Sequence, residues 1–329
     1  RANYDWERAL GRPNTETPFD DLTNEQKRDY ARDVGIEGAE KYYDFLKQLE
    51  DQLKADELND MEPEAGDGNN NDAAGSVTYG DPWITSFDGN GTFFNAYGEF
   101  VLARSTDGEF EIQTRQLPIY WYTDNPSASI TSNYAAAMRI GDNKVEIQWP
   151  ETGEATVLVN GNSISIEVGE SIAVDDGSIY RRNFNDYIFS NGLGDGMYVR
   201  IGGAYLNGYP FVDPSRVGEM QGIHGNYDGD SKNDFSLPDG TDLTGGTGRL
   251  SWQELYTTFA DAWRVTDENS LFTYLVDRST DDFTELNFPA GIVRLEDLDP
   301  DVVAAAEAAA EAAGLIPGTW QFETTVFDN

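Results

Sequence analysis

The pattern of apolar positions divides the chain into stretches of different period. Early on, apolar residues recur every three or four positions, with Ala39, Tyr42, Leu46, Leu49 and Leu53 on one stripe, the spacing of a helix face. Thr23 and Gln26 form a capping box that opens a first helical run, NEQKRDYARDV. The stripe covers two heptads, fewer than specify a coiled coil. It therefore reads as a helix laid on other structure or on its own hairpin partner, with an oligomerisation seam as the alternative. Residues 59–76, NDMEPEAGDGNNNDAAGS, have no period and are rich in Asn, Asp and Gly, which makes them a linker.

From Val77 to about Tyr209 the signal changes to short strands. TFFNAYGEFVLAR, EFEIQTRQLPIYWY, AAAMRIG, NKVEIQW, ATVLVNG, NSISIEV and GMYVRIG alternate or run apolar, and most are separated by Gly, Asn or Asp. VNGNS is a hairpin-turn signal between two of them. No long helical pattern intervenes, so an antiparallel, sandwich-like domain is expected and a parallel doubly wound sheet is not. Helices return at Ser251, which with Glu254 forms a second capping box. Asp299, Pro300 and Gly314 bracket DVVAAAEAAAEAA as cap, first helical residue and stop. TWQFETTVF then alternates like a final strand.

The expected fold is mainly β, of α+β type. A helical arm at 1–58 leads through the 59–76 linker into a β domain at 77–250, and a helical segment ending in a strand occupies 251–329.

Composition narrows the function. In 329 residues, 39% are hydrophobic and 12% aromatic, enough for a real core. Lys and Arg number 22 against 60 Asp and Glu, a formal net charge of −38. Such a surface repels phosphate backbones and anionic membranes, which excludes nucleic-acid binding as a main role and favours cations instead. The absence of cysteine removes disulfides, zinc–thiolate sites and cysteine nucleophiles, and a single histidine, His224, removes multi-histidine metal sites. No apolar run approaches the ~18 residues of a membrane-spanning helix.

Candidate chemistry concentrates in GNYDGDSKNDFSLPDGTD, residues 225–242. Asn226, Asp228, Asp230, Asn233, Asp234, Asp239 and Asp242 offer hard oxygen ligands of the type calcium prefers. It is not an EF-hand, because counting from Asp228 the fifth, sixth and twelfth places hold Lys232, Asn233 and Asp239. The plainer alternative is a solvated acidic loop. Phe235 and Leu237 argue against that, since they would draw the loop onto the core, where unpaired carboxylates are costly.

Two segments carry a family resemblance. GDPWITSFDG and GIHGNYDGDSKNDFSLPDG stand about 140 residues apart with strands between them. They resemble the two signature segments of the von Willebrand factor type D domain, here without cysteines. FADAWRVTDENSLFTY resembles the family's next segment, and LEDLDPDVVAAAEAAAEAAG the helical tail of bacterial members, so the likeness covers roughly 77–315. The resemblance implies one calcium site on Asp88, Asn226, Asp228, Asn233 and Asp234, with Asp230 less secure. His224 stands where the family has Cys and reads as a packing or hydrogen-bonding substitute. Family self-cleavage would fall between Asp81 and Pro82, but Trp83 replaces the family's His, so it is not expected. Asn90-Gly91-Thr92 fits a glycosylation acceptor, a pattern that is usually idle.

The resemblance further implies an extracellular or cell-surface, non-enzymatic protein: a calcium-stabilised structural or adhesive subunit of a filament, layer or matrix, self-assembling or held by surface partners. The alternatives are a monomeric secreted module that binds a glycan or protein, with Tyr120, Trp121 and Tyr122 as contact surface, and a secreted hydrolase using a carboxylate pair.

Overall fold

The structure is a computed structural model, and it describes residues 74–80, 82–119, 126–149, 155–202, 205–291, 300–313 and 315. The chain divides into two compact units, Arg1–Glu64 and Ala65–Asn329, and every described residue belongs to the second. The helical arm, its apolar stripe, Asp81, Tyr120 to Tyr122 and the TWQFETTVF strand lie outside the described residues.

Sixteen described strands form one curled antiparallel sheet. In chain order they are β1 Ala74–Gly75, β2 Val77–Tyr79, β3 Trp83–Thr85, β4 Gly91–Phe93, β5 Gly98–Ser105, β6 Glu111–Pro118, β7 Thr131–Ile140 and β8 Asn143–Gln148. There follow β9 Thr156–Val159, β10 Asn162–Ile164, β11 Ser171–Val174, β12 Gly177–Arg181, β13 Asp186–Ser190, β14 Gly196–Gly202, β15 Tyr205–Val212 and β16 Met220–Gln221. The main path runs β10-β9-β8-β7-β15-β14-β13-β12-β11; β6, β5 and β16 extend from β7, and β2, β3 and β4 branch from β15. The branch at β7 is stitched by Asn133, whose buried amide donates to the Thr78 hydroxyl (3.0 Å) and the Leu206 carbonyl (3.3 Å).

The mainly β, antiparallel expectation matches this architecture. The hairpin signal is realised by Asn160 and Gly161, with φ of 51° and 76°, the left-handed pair that a tight turn between twisted strands needs. The Ser251–Glu254 box also forms: the Ser251 hydroxyl accepts from Glu254 N–H, and Ser251 N–H donates back to the Glu254 carboxylate. Pro300 begins the helix Pro300–Ala312, with Ala306 and Ala310 buried and Glu307 and Glu311 exposed.

Some elements differ from the pattern-based reading. TFFNAYGEFVLAR is two strands, β4 and β5, because the chain leaves the ladder between Phe94 and Tyr97. Strands β11, β12 and β13 go unmarked in the pattern because they are only four or five residues long and lie among Gly, Asp and Asn turns, and β15 because Asn207, Gly208 and Pro210 interrupt its apolar residues.

The central strands lack the usual alternation because both faces are covered. All of β6 is buried, and nine of the ten residues of β7. On one face Ile112, Met138, Ile140, Val145 and Ile147 meet Phe189, Met197, Val199 and Val212. On the other, Phe100 and Val101 meet Tyr256, Phe259 and Trp263, which come after Ser251 on a short helix widened to π form over Leu255–Phe259. A strap after that helix is held by polar side chains: Leu271 N–H donates to Gln113, Thr273 N–H to Glu146, and Lys144 to the Ser270 carbonyl. Beneath it Arg115 pairs with Glu99 at 2.6 Å and lies 3.7 Å from the Phe283 ring centroid. Among the described residues no helix is long and apolar enough to cross a membrane.

Candidate functional site

The two signature segments meet at one end of the sheet. The first supplies the turn between β3 and β4, closed by Ser86 N–H donating to the Asn90 carbonyl, with Gly89 at φ 87° directly after Asp88. The second runs on from β16 along β5, with Ile223 N–H on the Val101 carbonyl and His224 N–H on the Leu102 carbonyl. Phe87 N–H then donates to the His224 carbonyl at 3.0 Å and ties the segments together. Beyond that tie the loop is anchored as its apolar residues foretold: Phe235 is 3% exposed against Phe259, and Leu237 packs beside it.

All five expected ligands are brought together. The Asp88 carboxylate accepts from Asp228 N–H (2.9 Å) and Gly229 N–H (3.0 Å), reaching across 140 residues of sequence. Asp228 accepts from the Asn226 amide (3.2 Å) and the Asn233 amide (2.9 Å), and Asn226 also donates to Asn233 Oδ1 (3.1 Å). Asp234 lies beneath them, 1% exposed, and accepts from the Ser86 hydroxyl at 2.6 Å. Asp230 does not join the group. Its carboxylate caps Lys232 N–H in its own turn, while its N–H donates to Asp228.

The electrostatics are those of a site short of positive charge. Among the described residues no Lys or Arg pairs with Asp88, Asp228 or Asp234. Burial raises the Asp88 carboxyl, and the Asp228 charge adds to the rise against two lowering N–H bonds. Burial pushes Asp234 up to about 7, with the neighbouring Asp88 carboxylate adding to it and the Ser86 bond opposing it. Two oxygens, Asn226 Oδ1 and Asp234 Oδ1, are buried without any hydrogen-bond partner. A buried acceptor left unpaired costs about 1–3 kcal/mol, so two of them, side by side with ill-compensated carboxylates, fit a hard cation as the missing partner. Among the described residues no three His, Cys, Asp or Glu side chains form a metal site by themselves, so a cation here would have to draw on the asparagine amide oxygens as well.

Three further residues support the site without carrying a ligand signal in the sequence. Ser86 is brought to Asp234 by the turn that its own N–H closes on the Asn90 carbonyl, which no local pattern marks. Gly225 has φ 82°, and a Cβ there would lie 2.2 Å from Asp234 Oδ1, so only Gly admits that carboxylate. Tyr227 adopts φ 51° and tilts against Phe87, with ring centroids 5.9 Å apart. His224 takes no part. It is fully buried, its Nδ1 meets the Ser76 hydroxyl at 2.6 Å, and burial holds its ring near 3, hence neutral. Asn90 spends its amide on the Gly248 carbonyl at 2.8 Å.

The human protein "Sushi domain-containing protein 2" is 25% identical over 212 residues, 60% of this chain and 24% of its own length. The Bombyx mori protein "Protein mesh" is 23% identical over 209 residues, 57% of this chain and 13% of its own. This chain thus matches about a quarter or less of the length of those relatives. The sequence profile of the von Willebrand factor type D domain matches residues 76–241, half of the chain and the span that contains both halves of the site. The chain belongs to the von Willebrand factor type D domain family.

Proposed function

We propose that this protein is an extracellular, calcium-stabilised structural or adhesive module without enzymatic activity, working as a repeated subunit of a surface filament, layer or matrix. The observation that carries the calcium reading is the pair of buried, unpartnered oxygens of Asn226 and Asp234 beside the Asp88 and Asp228 carboxylates. Asp88, Asn226, Asp228, Asn233 and Asp234 would hold the ion, which supplies positive charge that the chain's own side chains do not. The bound ion would cross-link the β3–β4 turn to the loop after β16, adding stability that a cysteine-free chain cannot draw from disulfides. The extracellular and assembling parts of the proposal rest on family membership. The charge of −38 works against assembly, because it opposes close packing of copies unless cations screen or bridge their surfaces.

Thermal unfolding in a chelated buffer and in millimolar calcium tests the site. The expected result is a higher melting temperature with calcium, and no calcium response in Asp228→Ala. A melting temperature indifferent to both chelator and calcium would refute it. Light-scattering mass with and without calcium tests the assembly: a calcium-dependent increase in mass supports it, and a monomer under both conditions favours a lone binding module instead.

A further inference from the structure

Beside the site, the β2–β3–β4 branch ends in an open edge. Tyr79, Trp83 and Phe93 stand in register across those three strands and form one aromatic row. Tyr79 is 45% exposed and Phe93 56%, and with Trp83 and Gly80 they line a shallow groove of about 360 Å³. Trp83 and Phe93 meet edge to face, centroids 4.8 Å apart. Gly91 lets the Trp83 indole lie against β4, since a Cβ there would lie 2.5 Å from it.

The main chain along this edge is open as well. The bonds from Ser86 N–H to the Asn90 carbonyl and from Phe94 N–H to the Pro82 carbonyl, 2.8 Å each, bracket the β3–β4 ladder. Bonded and non-bonded pairs alternate in an antiparallel ladder, so Ile84 and Thr92 are the bonded pair between them. Gly91 and Phe93 therefore turn their N–H and C=O groups away from β3. Among the described residues the Phe93 carbonyl is met by the Tyr256 and Thr92 hydroxyls at 3.4 Å, while Gly91 N–H, Gly91 C=O and Phe93 N–H have no partner. Donors and acceptors repeating at strand spacing select an extended polypeptide, which neither a sugar nor a lipid can match, and the aromatic row selects an apolar side chain within it.

We propose that β4 accepts residues 319–327 of a second copy as an added strand. TWQFETTVF has the required character: Trp320 and Phe322 alternate with polar residues, no proline interrupts it, and Glu323 is its one charge. Arg249, which lines the adjoining groove with Trp83 and Asn90, offers that glutamate a cation in a chain that has few. A contact between one copy's donor segment and another's edge is head-to-tail and leaves both groups free on the outermost copies, so it propagates. The inference rests on the assembling role proposed above and identifies its acceptor.

The absence of cysteine gives a clean test. Full-length Thr92→Cys is mixed under mild oxidation with full-length chains carrying a single Gln321→Cys, Glu323→Cys or Thr325→Cys, positions on the polar face of the donor segment. A disulfide-linked dimer of mixed composition is expected for at least one pairing, and Phe93→Glu in the Thr92→Cys chain is expected to reduce its yield at least tenfold without changing the circular dichroism spectrum. Mixed dimer in none of the pairings overturns the proposal, as does cross-linking confined to single chains when both cysteines are placed in one copy. If cross-links fail while calcium-dependent assembly persists by light scattering, this acceptor is wrong and the assembling role stands. If both fail, both are wrong.

Discussion

Asp234 makes the site's electrostatics measurable without a bound ion. It is 1% exposed, and burial moves its carboxyl from 3.8 to about 7. A carboxyl held above its unfolded value binds its proton more tightly in the folded state, so this group's contribution to stability is lost as pH rises from about 4 to about 7. At about 1.4 kcal/mol per pH unit the loss is at most about 4 kcal/mol, and about 2–4 is a working range for a carboxyl beside a second acid. His224 acts in the opposite sense. Burial lowers it from 6.5 to about 3, so the unfolded chain takes up a proton that the folded one refuses, and stability rises with pH across that window. The two slopes nearly cancel in the wild type between about pH 4 and 6.5, and Asp234→Asn removes only one of them. Urea unfolding followed by tryptophan fluorescence, at pH 4.5 to 7.5 in metal-free buffer of constant ionic strength, should show the variant gaining about 2–4 kcal/mol on the wild type as pH rises. The slope is the readout, because any fixed cost of losing the Ser86 bond cancels from it. Calcium at about a hundred times its dissociation constant should add about 2.7 kcal/mol to the wild type near pH 7.5 and less near pH 5, where protons compete for the carboxylates. Parallel pH profiles for the two proteins, within about 0.5 kcal/mol, would refute the reasoning.

Other perturbations test the same geometry. Gly225→Ala puts a methyl 2.2 Å from Asp234 Oδ1 at φ 82°, so a loss of at least about 1–2 kcal/mol and of the calcium response is expected in thermal melts. Arg115→Met leaves Glu99 buried without its 2.6 Å partner and should cost about 3–5 kcal/mol in urea unfolding, most of it recovered when Glu99→Gln is added. Asn160→Val and Asn160→Gly both lose the side-chain bonds to Lys144 N–H and Asn143, but Val also places a β-branched residue at φ 51°, so it should cost about 1–2 kcal/mol more than Gly by the same measurement.

Much of this protein was determined by short stretches of its sequence. The Asn160–Gly161 turn, the Ser251 capping box and the helix opened by Pro300 each depend on residues within a few positions of one another, so composition and spacing suffice to specify them. Phe235 and Leu237 likewise announced a loop drawn onto the core. Tertiary structure alone decided the rest. Strands β6 and β7 are covered on both faces, which erases the alternation a local reading depends on, while β11 to β13, at four or five residues each, are too short to stand out from their turns. The state of the candidate site is equally non-local. Asp88 receives its hydrogen bonds from residues 140 and 141 positions away, and Asp234 is an ordinary aspartate until the Ser86 turn closes over it. Burial and partner distance set a carboxylate's charge, and both exist only after the distant segments have paired.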